Sequence, residues 1–122
     1  MKEKKIFIPI WESEVILIYG DQKNIYEYIH KKHNGLDVSK YVGSDGNHFK
    51  VVSNDDSRNY NYLVIYGDYN NHTVYHESLH AAWEILNDRL VEVSYDNQEP
   101  LAYLTDYISN EVLIQLNEWS HG

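Results

Sequence analysis

The five residues from His76 to His80 read His-Glu-Ser-Leu-His, an H-E-x-x-H motif that can form a site only on an α-helix. In a helix, residues four positions apart lie on one face, so His76 and His80 can share one cation. Glu77 follows the first histidine and leans over the same position, where its carboxylate can take a proton from a metal-bound water. The motif therefore predicts a helix first and a zinc site on that helix second.

The sequence around the motif has the pattern of an amphipathic helix. No glycine or proline occurs from 71 to 89. On a helical wheel, the small and apolar residues form one face, which we expect to pack against the core. This face comprises Val74, Ser78, Ala81, Ala82 and Ile85, with Leu86 at its margin. His76 and His80 fall on the opposite side, so we expect them to face a cleft.

Length and composition narrow the class of protein. With 122 residues, 43% of them hydrophobic, the chain is expected to form one domain, 1–122, with its own core. It has no cysteine, which suits the cytoplasm and leaves His, Asp, Glu or water to hold a metal. No apolar run reaches the roughly 18 residues that a membrane span needs. The formal net charge of −9 disfavours nucleic acid as a partner.

The rest of the chain predicts strands and helices in a mixed order. Four runs rich in Ile, Val and Tyr predict strands. They span 5–10, 14–19, 48–53 and 61–66. A first helix is expected from its cap at Asp21 to Asn34-Gly35, and Glu99-Pro100 begins a helical stretch after the motif helix. The order ββαββαα predicts an α+β fold with a small mixed or antiparallel sheet of about four strands.

A catalytic zinc needs a third protein ligand, and Glu99 is the predicted one. Two histidines and one glutamate leave the fourth tetrahedral position open for water. Eighteen residues separate His80 from Glu99, enough for the chain to reverse and bring a second helix over the site. At the start of that helix, the helix dipole favours an ionised carboxylate. Glu84, one turn beyond His80, is the alternative third ligand, or an acceptor for a ligand imidazole.

Tyr103 and Asp106 share the helix face of Glu99, four and seven positions further along. Either side chain can orient a ligand histidine. Tyr103 can also donate a hydrogen bond to the oxyanion that develops during hydrolysis. Tyr103 therefore joins Glu77 as a candidate catalytic residue, and zinc is the expected cofactor.

These residues resemble the gluzincin branch of the zinc metallopeptidases. His76, Glu77 and His80 match the motif of that branch, Glu99 matches its downstream glutamate ligand, and the element order over about 61–108 is also similar. The resemblance implies a minimal zincin-like domain, of a kind common among phage and bacterial proteins, that acts on a peptide or protein. Two departures exist. Many gluzincins have an acid where this chain has Tyr103, and these 122 residues leave no room for a further domain to wall the cleft.

Two functions of different classes follow from these patterns. The first is zinc-dependent hydrolysis of a peptide bond, with Glu77 as the base. The resemblance implies that an extended substrate adds to a sheet edge beside the cleft. The strand 61–66 leads directly into the motif helix. The second is a non-enzymatic, acidic interaction or inhibitor protein on a zincin-like scaffold, which the charge of −9 favours. Hydrolysis that Glu77→Gln abolishes would separate them.

Overall fold

The computed structural model describes residues 1–38, 45–52, 59–67 and 69–121. Seven elements follow one another in these ranges. They are β1 (Lys2–Ile8), β2 (Ser13–Gly20), α1 (Gln22–Lys32), β3 (Gly46–Val52), β4 (Asn59–Tyr66), α2 (Asn71–Asp88) and α3 (Glu99–His121). The predicted α+β class and the order ββαββαα are confirmed. The helical stretch that begins at Glu99 continues without a break to His121.

The four strands form one mixed sheet in the order β1-β2-β4-β3. β1 and β2 are antiparallel, as are β3 and β4, whereas β2 and β4 run parallel at the centre. The strand that leads into the motif helix, β4, therefore lies inside the sheet, with described neighbours on both sides. The edge of the sheet near α2 is formed by β3.

Different helices cover the two faces of the sheet. Alternate residues of a strand point to opposite faces, so each strand contributes to two cores. On one face, α2 and α3 pack over a core that includes Ile6, Val15, Leu17, Leu63 and Ile65. On the other face, α1 packs over a core that includes Ile16, Ile18, Phe49, Tyr62 and Val64. The sheet therefore separates α1 from the motif helix.

The ends of α1 and the start of α2 are set by local signals. The Asp21 side chain accepts a hydrogen bond from the backbone N–H of Lys23 at 2.9 Å and caps α1, as predicted. Asn34 and Gly35 both have positive φ, 54° and 84°, which ends the helix in a left-handed turn. Asn70 caps α2 by accepting from the backbone N–H of Thr73 at 3.0 Å.

The motif helix packs on the side that its pattern predicts. The predicted apolar face is buried, and it comprises Val74, Ser78, Ala81, Ala82, Ile85 and Leu86. His76 and His80 are exposed on the other side of α2. No helix in the described part of the chain is long and apolar enough to cross a membrane.

The strand β3 approaches the start of α2 very closely at Gly46. A Cβ atom at this position would lie 2.8 Å from Cγ2 of Thr73 and 2.9 Å from the carbonyl oxygen of Val64. Position 46 thus has no room for a side chain, which explains the glycine there. Because residues alternate along a strand, His48 and Lys50 share the face of Gly46, and this face is turned towards α2.

Candidate metal centre

His76 and His80 converge on the exposed side of α2. Their Nε2 atoms are 3.3 Å apart, and their ring centroids are 4.9 Å apart. Two imidazole nitrogens bound to one tetrahedral zinc, each at about 2.0–2.1 Å, would be separated by roughly 3.3–3.4 Å. The pair therefore has the spacing of two ligands on one metal. An N–H···N hydrogen bond between two neutral rings also fits this distance.

Glu77 lies beside the pair and is buried, with only 8% of its surface exposed. One of its carboxylate oxygens, Oε1, is 3.9 Å from Nε2 of His76. Burial raises the pKa of the Glu77 carboxyl above its ordinary value, and the neighbouring His76 partly opposes this shift. A carboxylate in this position and with a raised pKa is suited to accept a proton from a nearby water.

The buried charge of Glu77 predicts that Glu77→Gln stabilises the metal-free protein at neutral pH. A carboxyl whose pKa is raised by folding contributes stability below its unfolded pKa, and this contribution is lost as the pH rises through the folded pKa. Glutamine keeps the shape without the charge. The variant should therefore be more stable than the parent above the raised pKa, with a difference that shrinks as the pH falls from the raised pKa towards the ordinary value of 4.5.

Urea unfolding of metal-free protein from roughly pH 4 to pH 8 measures this difference. Glu92→Gln, at an exposed position, is the matched control and should follow the parent. A constant difference between Glu77→Gln and the parent at every pH would show that the Glu77 charge has no such effect.

A third histidine, His48, lies near the pair and was not found from the sequence. Its ring is almost parallel to that of His80, with an interplanar angle of 14° and centroids 6.2 Å apart. The burial of His48 lowers the pKa of its imidazole. Motif spacing cannot find it, because it comes from a strand far from α2 in the sequence. The signal that the sequence does offer is strand alternation, which puts His48 on the same face of β3 as Gly46 and Lys50.

Asn61 on β4 connects His48 to the backbone of α2. Nε2 of His48 is hydrogen-bonded to Oδ1 of Asn61. Nδ2 of Asn61 in turn donates to the carbonyl oxygen of Ala81 at 3.2 Å. Asn61 is buried, so these hydrogen bonds satisfy an amide that would otherwise be costly to remove from water. They also hold the His48 ring in one orientation.

Glu84, the alternative third ligand, forms an ion pair with Lys50 of β3. Its Oε1 lies 2.9 Å from Nζ of Lys50, and the same ammonium lies 2.6 Å from Oδ1 of Asp88. These two carboxylates raise the pKa of Lys50. Lys50 thus bridges two acids on α2 and joins the edge strand to the helix. The ion pair competes with any role of Glu84 as a metal ligand.

Glu99 and Tyr103 lie in a different part of the molecule from the histidine pair. Both line a cavity of about 700 Å³ between α3 and the β1–β2 turn, together with Ile10, Trp11 and Tyr107. None of the histidines lines this cavity. Across residues 1–38, 45–52, 59–67 and 69–121, no three His, Asp or Glu side chains are placed to hold one metal. The predicted set of His76, His80 and Glu99 is therefore not assembled.

The connector between α2 and α3, residues 89–98, determines where Glu99 lies. Arg89, at the end of α2, donates to the carbonyl oxygen of Glu12 in the β1–β2 turn at 2.9 Å. Glu99 lines a cavity at the same turn. The connector thus starts α3 near the C-terminal end of α2, whereas the histidines lie in its N-terminal and central turns. Tyr103, one helical turn after Glu99, lies near the same end of α2 and is 72% exposed.

Comparisons with known proteins bring no further assignment. No protein-family model, no curated protein and no solved structure matches this chain. No match therefore supports the resemblance to gluzincins, which stays a prediction from the motif.

Proposed function

We propose that this chain is a zinc-dependent hydrolase of the metallopeptidase type, with His76 and His80 as metal ligands. The observation that carries the proposal is the 3.3 Å separation of the two Nε2 atoms, which suits a shared tetrahedral zinc. The burial of the Glu77 carboxylate beside His76 supports it. Two histidines that merely share a hydrogen bond on a helix surface would give no reason to bury a carboxylate next to them.

This site offers two metal ligands and one general base. His76 and His80 would hold zinc, which acts as a Lewis acid and lowers the pKa of a bound water. Glu77 would accept the proton of that water and pass it to the leaving amine. The pKa of its carboxyl, raised by burial, favours this exchange. Neither Glu99 nor Tyr103 has a part in this scheme, because both line the cavity at the β1–β2 turn.

The strand β3 supports a peptide as the substrate. Among the described strands it pairs with β4 alone, so it is an edge strand, and its residue His48 lies beside His80. An extended peptide can add to such an edge through backbone hydrogen bonds. A peptide bound there would run next to the histidine pair and Glu77.

The proposal predicts about one zinc per chain in protein purified without a chelator. His76→Ala and His80→Ala should each lose the metal, because each removes one of the two close nitrogens. His30→Ala changes an exposed histidine on α1 and is the matched control, which should keep the metal. Elemental analysis and titration with a chromogenic chelator measure the zinc content of the parent and of each variant. A parent protein that is purified metal-free and ignores added zinc would rule out the proposal.

A non-enzymatic interaction or inhibitor protein is the second candidate function. The incomplete ligand set favours it, as does the apolar cavity with the exposed Ile10 and Tyr103 at its border. Zinc-loaded protein that fails to cleave reduced, unfolded casein under any tested pH would support this function over the first.

A further inference from the structure

We propose that His48 is the third protein ligand of this metal site and binds through Nδ1, an inference that rests on the function proposed above. His48 brings a ligand from the edge strand to a pair on the helix. The site would then consist of three histidines, from β3 and α2, and would not use a glutamate from α3. Three observations support this set: the hydrogen bonds of Asn61, the position of the His48 ring and the surroundings of the competing side chains.

The hydrogen bonds of Asn61 determine which nitrogen of His48 carries a proton. Nδ2 of Asn61 donates to the carbonyl oxygen of Ala81, which leaves Oδ1 directed at Nε2 of His48. An amide oxygen can only accept, so Nε2 of His48 must donate. In a neutral ring the lone pair is then on Nδ1, the form that binds metal. Metal-bound histidines commonly donate their other N–H to an oxygen in this way.

The His48 ring lies close to the position that a third ligand needs. Two imidazoles on one tetrahedral zinc have centroids roughly 5 Å apart, and His76 and His80 are at 4.9 Å. The His48 and His80 centroids are 6.2 Å apart. This distance exceeds the tetrahedral spacing by about 1 Å, so one of the two rings must move by about that amount for both to bind one metal. In the arrangement of the described residues, no three such side chains are placed to hold a metal without this movement.

Two other side chains compete for the third position, and each has a feature against it. The His72 ring is 6.3 Å from that of His76, but His72 precedes His80 by two helical turns. These two residues are therefore about 12 Å apart along the helix axis, too far to share one metal. Glu84 is held by Lys50 at 2.9 Å, so its use as a ligand would require breaking that ion pair.

Zinc affinity of the full-length chain, measured by chelator competition, tests this inference. His48→Phe keeps a ring of similar shape without a lone pair and should weaken zinc binding by at least about 100-fold, since outer-sphere changes alone cost 10–100-fold. His72→Phe and Glu84→Gln should leave the affinity within about threefold. Asn61→Asp retains an acceptor for Nε2 and should bind zinc, whereas Asn61→Leu should lose about 10–100-fold.

Cobalt provides a readout that does not depend on turnover. The visible absorption of bound Co²⁺ is much stronger in four-coordinate than in six-coordinate sites, so His48→Phe should lose intensity while Asn61→Asp keeps it. Circular dichroism of the metal-free variants checks the fold, and His48→Asn replaces His48→Phe if the latter does not fold.

The possible outcomes separate the inference from the proposed function. Zinc binding that depends on His76 and His80, but not on His48, overturns the inference and leaves the function standing. Loss of zinc from His72→Phe or Glu84→Gln, with His48→Phe unaffected, assigns the third position to one of those residues and also overturns it. A parent chain that binds no zinc overturns both the inference about His48 and the proposed function.

Discussion

Glu77→Gln is expected to remove hydrolysis while zinc stays bound. The substitution keeps the size of the side chain but removes the proton acceptor, and the proposed ligand nitrogens of His76 and His80 are untouched. A general base typically contributes about 10²–10⁴-fold to the rate, so kcat should fall by that factor. Cleavage of an unfolded protein substrate, measured beside the zinc content of the same preparation, tests this result. Release of zinc from Glu77→Gln would instead make Glu77 a ligand.

Glu99→Gln in the same assay separates the sequence prediction from the arrangement in the structure. If Glu99 were the third ligand, the variant would bind zinc weakly. With Glu99 at the cavity beside the β1–β2 turn, we expect zinc content and turnover to match the parent. Zinc loss in Glu99→Gln would require α3 to occupy another position when the metal is present.

Gly46→Ala is expected to destabilise the protein by about 1–3 kcal/mol, the usual cost of overfilling a packed site. The new Cβ would lie within 3 Å of both Thr73 and the Val64 carbonyl oxygen, and the latter belongs to the central strand and cannot easily move. The edge strand must then retreat from α2. Because His48 lies on the same strand, zinc affinity should fall as well.

Gly67→Ala is the matched control for this prediction. A Cβ at Gly67 would meet no atom of the described residues within 4 Å, so the variant should retain the stability of the parent. Urea denaturation of both variants measures the difference in unfolding free energy. Equal stability of Gly46→Ala and Gly67→Ala would show that β3 can move away from α2 at no cost.

The sequence predicts α2 well because two independent patterns agree on it. The motif requires a helix, and the apolar face places Ala81 and Ile85 in the core, where they are found. Both patterns depend only on residues one or two turns apart. Strand and helix order follows from similar short-range signals, including the Asp21 cap and the turn at Asn34-Gly35.

The third-ligand prediction depended on long-range geometry that no short-range pattern contains. The distance from His80 to Glu99 in the sequence allows a return over the histidines, but equally allows the return to the far end of α2 that occurs. His48 is the opposite case, because no sequence pattern predicts that it lies near His80. It is placed beside His80 by the pairing of β3 with β4 and by the absence of a side chain at Gly46. Both features become visible only in three dimensions.

The mixed sheet has a consequence for the order in which the chain folds. The β1–β2 and β3–β4 pairs each join strands that are neighbours in sequence, whereas the parallel pair brings Ile16 of β2 to Tyr62 of β4. Closing that long loop loses more chain entropy than forming either hairpin, so we expect this pairing to limit the folding rate. The proposed ligands His48, His76 and His80 lie on β3 and α2, and these two elements need no such long-range closure to meet. We therefore expect β3 and α2 to meet before the N-terminal hairpin docks.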